Sequence, residues 1–181
     1  MLILGVDPGS RAAGYALVDV EGRAERVVEA GTLRFDGQTA HALRLREIYR
    51  RLTEVIEAHP PDEGAVEMPV YGKNPQSMLK LGRAQAAAML ALLNRDVPVS
   101  EHTPKQVKKA VTGNGNATKE QVQHMVCSML DGAEASDLSY DASDALAVTL
   151  CHAHRSAGSP AGAEHHTDWA AFAEANPDRV A

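Results

Sequence analysis

The chain has 181 residues, 44% of them apolar, which is within the usual span of one domain and enough to bury one core. Its opening MLILGVDPGS has no basic leader, and its apolar run is too short for a signal peptide or a membrane span. A cytoplasmic protein with no membrane contact is therefore expected, with Cys127 and Cys151 as buried reduced thiols. A formal charge of −6 excludes a uniformly basic nucleic-acid binder, but residues 71 to 125 hold all six lysines, with eight Lys and Arg against three Asp and Glu. Such a stretch suits either a phosphate-binding face or a solvated helical surface.

Residues 2–6 are an apolar, strand-forming run that ends at Asp7-Pro8-Gly9, a tight-turn sequence, and read as a buried central strand. Residues 15–20 and 27–35, joined through Glu21-Gly22, complete a three-stranded antiparallel meander. From Leu45 the apolar residues recur at three- and four-residue steps through Ile56, an amphipathic helix stopped by Pro60-Pro61. Residues 65–67 form a short strand ended by Met68-Pro69. Residues 75–94 form a helix apolar over most of its circumference, to be buried in the fold or against a second subunit.

Residues 97–101 give a fifth strand, and Thr103-Pro104 opens a helix with Thr as cap and Pro in its first position. After the loop Gly113-Asn114-Gly115-Asn116, Thr118 and Gln121 have capping-box spacing for a helix to about Leu130, and a last helix covers 141–154. This order predicts an α/β fold: a mixed five-stranded sheet, three antiparallel strands then two parallel, flanked by helices, as in the ribonuclease H-like architecture. Residues 1–156 are assigned to this domain, and 157–181, rich in Ala, Gly and Pro without periodicity, to a flexible tail.

Four carboxylates stand out. Asp7 and Glu67 each end a short apolar strand, where an acid is costly unless paired, solvated or bound to a cation. A turn-forming Asp and a solvent-facing Glu are the ordinary alternatives. Asp141 and Asp144, three residues apart, share one helix face about 4.5 Å apart along the axis. Helix capping is the alternative for Asp141 and explains Asp144 less well. Two carboxylates 4 Å apart repel by about 4 kcal/mol at an effective dielectric of 20, so four together would demand cations. All-oxygen ligation favours Mg²⁺ or Mn²⁺, and two such ions about 4 Å apart suit phosphodiester hydrolysis. His152 and His154, two apart on a helix, point to different faces and are poorly spaced for a metal.

The chain resembles the RuvC family of crossover (Holliday) junction endodeoxyribonucleases in six ordered segments. These are Gly5-Val6-Asp7-Pro8-Gly9-Ser10-Arg11 with Gly14-Tyr15; Glu67; Lys73-Asn74 with Ser77 and Leu79-Lys80-Leu81-Gly82; Gln106-Val107-Lys108; Gln121 to Val126; and Asp141 through Asp144-Ala145-Leu146-Ala147. The resemblance implies a Mg²⁺-dependent homodimer that resolves four-way DNA junctions in recombination and repair by paired hydrolytic nicks in two strands of like polarity. Two ions per subunit are implied, with Mn²⁺ as a substitute. The family's metal-binding acids fall on Asp7, Glu67, Asp141 and Asp144, and its basic cleavage residues on Lys108 and Lys119. The positive stretch supplies Lys73, Lys80, Arg83 and Lys105 as further DNA contacts. The family's base-stacking aromatic falls on Val70, so its neighbour Tyr71 is the candidate for that role, with a partly buried tyrosine as the ordinary reading. The branch-migration proteins RuvA and RuvB are implied as partners.

Three other functions compete. An RNA-processing relative of the same fold is one. A sugar-kinase or chaperone-type ATPase shares Asp-x-Gly-Ser after its first strand but needs a second lobe for which the chain is too short. A junction-binding module that does not cut would have no need of four acids at the family's positions.

Overall fold

In the computed structural model, residues 1–22, 24–69, 74–130 and 138–158 are described. β1 (Leu2–Asp7) is the middle strand because Ile3, Leu4 and Val6 are completely buried, which requires cover on both faces of the sheet. It pairs antiparallel with β2 (Ala12–Glu21), and β2 pairs antiparallel with β3 (Ala24–Arg34). β4 (Glu63–Glu67) and β5 (Val99–His102) add in parallel on the other side, giving the order β3-β2-β1-β4-β5. This is the expected mixed five-stranded sheet.

Strand periodicity splits the core into two layers. Leu4, Val6, Leu17 and Val66 face α1 (His41–Ala58) and α2 (Pro75–Leu93), meeting Ile48, Leu52, Ala88 and Leu92. Ala16, Val18 and Ala65 face the other way, toward α3 (Pro104–Thr112), α4 (Lys119–Met129) and α5 (Tyr140–Gly158), meeting Val107, Val126, Leu146 and Leu150. Cys151 is buried in this second layer. Among the described residues, no helix is long and apolar enough to cross a membrane.

The helix starts follow the sequence signals. Thr103 and Thr118 each accept from the backbone N–H three residues on, and Gln106 and Gln121 return the bond, so α3 and α4 both open with capping boxes. Other boundaries differ. α1 begins at His41, because the core-facing position of its first turn is Arg44, whose guanidinium donates to the Gly37 carbonyl at 3.2 Å. A buried arginine continues the step Arg44, Ile48, Leu52, Ile56 where an apolar count sees nothing. β5 begins at Val99, because Asp96 takes a positive φ of 57° and Pro98 follows; Val97 is buried in the turn before the strand. β3 begins three residues before the expected Val27.

α2 buries Ala84, Ala87, Ala88, Ala91 and Leu92, yet Leu79, Leu90 and Leu93 remain 60%, 50% and 48% exposed. The fold therefore covers one face of this apolar helix and leaves another bare.

Candidate active site

One cross-sheet row positions the acids. Thr32 on β3 is opposite Gly14 on β2, Gly14 is opposite Asp7 on β1, and Glu67 on β4 is opposite His102 on β5. Asp7 and Glu67 come one residue after the parallel pair Val6 and Val66, so the two carboxylates end neighbouring strands side by side. Both lie on the face covered by α5, as do Gly5 and Ala65 two residues earlier on the same strands.

α5 brings the other two acids to this row because the sheet beneath it lacks side chains at Gly5 and Gly14. A Cβ on Gly14 would stand 1.8 Å from the Asp141 carbonyl oxygen, and one on Gly5 would stand 2.0 Å from Thr149 Oγ1 and 2.6 Å from the Ala145 carbonyl oxygen. The start of α5 is further fixed by a 2.5 Å hydrogen bond between the Thr32 and Ser139 hydroxyls. Ser139 Oγ accepts from the Ala142 N–H at 3.2 Å. That bond meets the capping need of the first turn, so Asp141 is not required as a cap.

The electrostatics report the same convergence. Burial, then the charges of Asp144 and Asp141, push the Asp7 carboxyl from an ordinary 3.8 up to about 7, against the opposing pull of Lys119. Burial, then Asp7 and Asp144, push Glu67 up to about 8, opposed by Lys119 and Lys108. Lys119 Nζ donates to Asp144 Oδ2 at 2.7 Å, and that bond holds the ammonium above its ordinary range. Lys108 Nζ donates to the Ala117 carbonyl at 2.7 Å, tying α3 to the loop before α4 while its charge still reaches Glu67.

Among the described residues, no three acidic, histidine or cysteine side chains already close on one common ion. Asp7 and Glu67 line one pocket and Asp141 lines another with Lys119, while the charges of Asp144 and Asp141 reach Asp7, opposed by the Lys119 ammonium. The donor set nevertheless fits hard divalent cations: all-oxygen, mutually repelling and partly withdrawn from water.

These raised values have a thermodynamic consequence with a definite sign. A carboxyl whose folded pKa exceeds its unfolded one adds stability at low pH and loses it as pH rises through the folded value. His102, pushed down to about 4 mainly by burial, works oppositely, but its contribution is complete above its ordinary 6.5. From pH 6.5 to 8.5 the metal-free melting temperature is therefore expected to fall, and millimolar Mg²⁺ should reverse most of the fall. Scanning calorimetry with a chelator or with Mg²⁺ checks this, and a flat metal-free profile would contradict it.

The remaining sequence candidates are dispersed. Lys80 and Arg83 are exposed on α2, and Lys105 is exposed on α3. Tyr71 and Lys73 lie outside the described residues. His152 and His154 diverge as expected, His152 Nε2 meeting Glu63 Oε2 at 2.6 Å and His154 Nε2 meeting Glu25 Oε1 at 2.9 Å. His102, which the sequence did not single out, is 5% exposed at the end of the acid row, its Nε2 3.2 Å from His152 Nδ1. It ends a strand that reads Val-Ser-Glu-His, so it lacks the apolar run that marks Asp7 and gives no local signal.

Comparison with known proteins identifies the family. The family model for crossover junction endodeoxyribonuclease RuvC matches residues 3–152. The chain belongs to the RuvC family. A crossover junction endodeoxyribonuclease RuvC of Salinibacter ruber is 59% identical over 180 residues, covering 99% of both chains. One from Christiangramia forsetii is 43% identical over 180 residues, covering 99% of this chain and 92% of its own. The structure of Thermus thermophilus RuvC in complex with a Holliday junction substrate superposes with a TM-score of 0.78 at 32% identity, over 86% of this chain and 94% of that one. The ribonuclease H-like architecture and the nuclease class follow from this membership, and the family is one of metal-dependent nucleases.

Proposed function

We propose that this chain resolves four-way DNA junctions in the cytoplasm, as a homodimer whose subunits each hydrolyse one phosphodiester bond in strands of like polarity. The observation that carries the reading is the gathering of Asp7, Glu67, Asp141 and Asp144 between the sheet and the start of α5. In this reading the four carboxylates hold two Mg²⁺ ions, replaceable by Mn²⁺. When bound, such ions acidify an attacking water and stabilise charge on the leaving 3′ oxygen.

The chain's own residues do the rest. Asp7 and Glu67, raised by burial and by the neighbouring acids, would release protons on holding the cations, which makes their affinity rise with pH. Lys119, which donates to Asp144 beside the acids, would neutralise the charge that builds on the scissile phosphate. Lys108, held at Ala117, adds a fixed positive field behind Glu67. Lys80, Arg83 and Lys105 bind the junction arms, and Tyr71 and Lys73 are DNA contacts in the same reading.

The exposed Leu79, Leu90 and Leu93 support a dimer, since three large apolar side chains on one bare helix face call for a partner. RuvA and RuvB are the branch-migration partners this reading assigns. A structured-RNA substrate is the competing reading, and no residue of the site favours it.

Lys119→Ala is expected to slow single-turnover cleavage by roughly 10²-fold. Mn²⁺ affinity, measured by calorimetric titration, should hold or rise, because no ammonium then competes for Asp144. Unaltered cleavage would remove Lys119 from the mechanism. The function itself is tested by offering the purified protein a mobile four-way junction, linear duplex and structured RNA in Mg²⁺. Paired symmetric nicks in the junction alone are expected, and equal cutting of RNA would overturn the assignment.

A further inference from the structure

Beside the acids lies a second feature that the mechanism above leaves unused. A cleft of about 650 Å³ opens between the end of β3 and the starts of α4 and α5, lined by Arg34, Lys119, Gln123, Ser139, Tyr140 and Asp141. It adjoins the catalytic acids through Asp141 and Lys119, whose charges both reach Asp7. Its size falls in the range of about 300–1,000 Å³ typical of sites for nucleotide-sized ligands.

Two of its walls carry groups with nothing to do inside the fold. Tyr140 is 45% exposed, although it is aromatic and stands directly before Asp141. Tyr15 donates its hydroxyl to Glu29 at 2.6 Å, and the Tyr49 hydroxyl accepts from Asn94 at 3.2 Å, whereas Tyr140 makes no such bond among the described residues. Arg34 is exposed and forms no ion pair among the described residues. It is two residues beyond Thr32 on β3, so it projects on the same face as the Thr32–Ser139 bond, toward the start of α5. Between them, Gln123 Nε2 donates to the Leu138 carbonyl at 2.9 Å, which leaves its Oε1 for an incoming donor.

We propose that this cleft seats one nucleotide of the cut strand next to the scissile phosphate, its base stacked on Tyr140 and its phosphate held by Arg34. The proposal rests on the junction-cutting function and adds a substrate subsite to it. An aromatic face serves any base, while a guanidinium serves the phosphate. Asp141 repels a phosphate from the floor of the cleft, so the anion is directed to its basic ends at Arg34 and Lys119. A DNA strand is favoured over a protein partner because two residues placed in the cleavage machinery, Lys119 and Asp141, line the cleft, so a strand cut there lies against it.

The test uses the full chain and a four-way junction carrying 2-aminopurine on either side of the scissile phosphate, with Ca²⁺ replacing Mg²⁺ for the binding steps. Wild type should quench one of the two probes by stacking. Tyr140→Ala should lose that quenching and weaken junction binding by ~10-fold, and Tyr140→Phe should restore both. Arg34→Ala should reduce the slope of log affinity against log salt by about one contact. Tyr140 is exposed at a helix start, so an unchanged melting temperature is expected and separates contact from folding. If wild type fails to cut junctions, the functional reading and this subsite fall together. If wild type cuts, but Tyr140→Ala binds and quenches as wild type does, or Tyr140→Phe is as defective as Tyr140→Ala, the subsite alone is overturned.

Discussion

Asp7→Asn is expected to lower single-turnover cleavage of a four-way junction by roughly 10³-fold or more, because it removes a central carboxylate of the metal pocket. Asparagine keeps the size of the side chain and the strand pairing with Gly14. It also removes the buried charge whose value is pushed up to about 7. The metal-free variant should therefore melt higher than wild type at pH 8, and activity would be lost from a more stable protein. Junction affinity in Ca²⁺ should hold, since the residue lost repels phosphate. Cleavage at the wild-type rate in Mg²⁺ would show that Asp7 is no part of the machinery.

Gly14→Ala should cost both stability and cleavage. The added methyl would enter 1.8 Å from the Asp141 carbonyl oxygen and 2.5 Å from its carbon, both backbone atoms of the α5 start. Overpacking of this kind costs roughly 1–3 kcal/mol and sometimes more. For a domain of this size each kcal/mol lowers the melting temperature by about 2–4 °C. Relief requires the start of α5 to lift, which carries Asp141 and Asp144 away from Asp7 and Glu67. Cleavage and Mn²⁺ affinity should both fall more than the stability loss explains. Gly82→Ala is the control: it lies within α2 with no atom near its added methyl, and should raise stability by about 0.5–1 kcal/mol. If Gly14→Ala kept wild-type Mn²⁺ affinity, the close approach would have no role in assembling the pocket.

The first three strands were legible because each carries a local signal, an all-apolar centre at β1 and turn residues between it and its flanks. The capping boxes at Thr103 and Thr118 were equally local. What escaped was long-range. That Asp7 and Glu67 end up side by side depends on the register of two parallel strands some sixty residues apart, which the sequence does not display. The glycines that admit α5 against the sheet look like any others in strands, and only the helix above them explains Gly5 and Gly14. Arg44 concealed the first turn of α1, because a buried arginine reads as surface. His102 and the Tyr140–Arg34 cleft depend on which side chains the tertiary fold leaves buried or bare.

The most direct test of the account is a crystal structure of the full chain with Mn²⁺ and a four-way junction, read by anomalous scattering. The account predicts manganese at ~2.1–2.2 Å from oxygens of Asp7, Glu67, Asp141 and Asp144, with Lys119 beside the scissile phosphate. Manganese bound elsewhere, or a Glu67 carboxylate turned away from the ion-binding pocket, would contradict it.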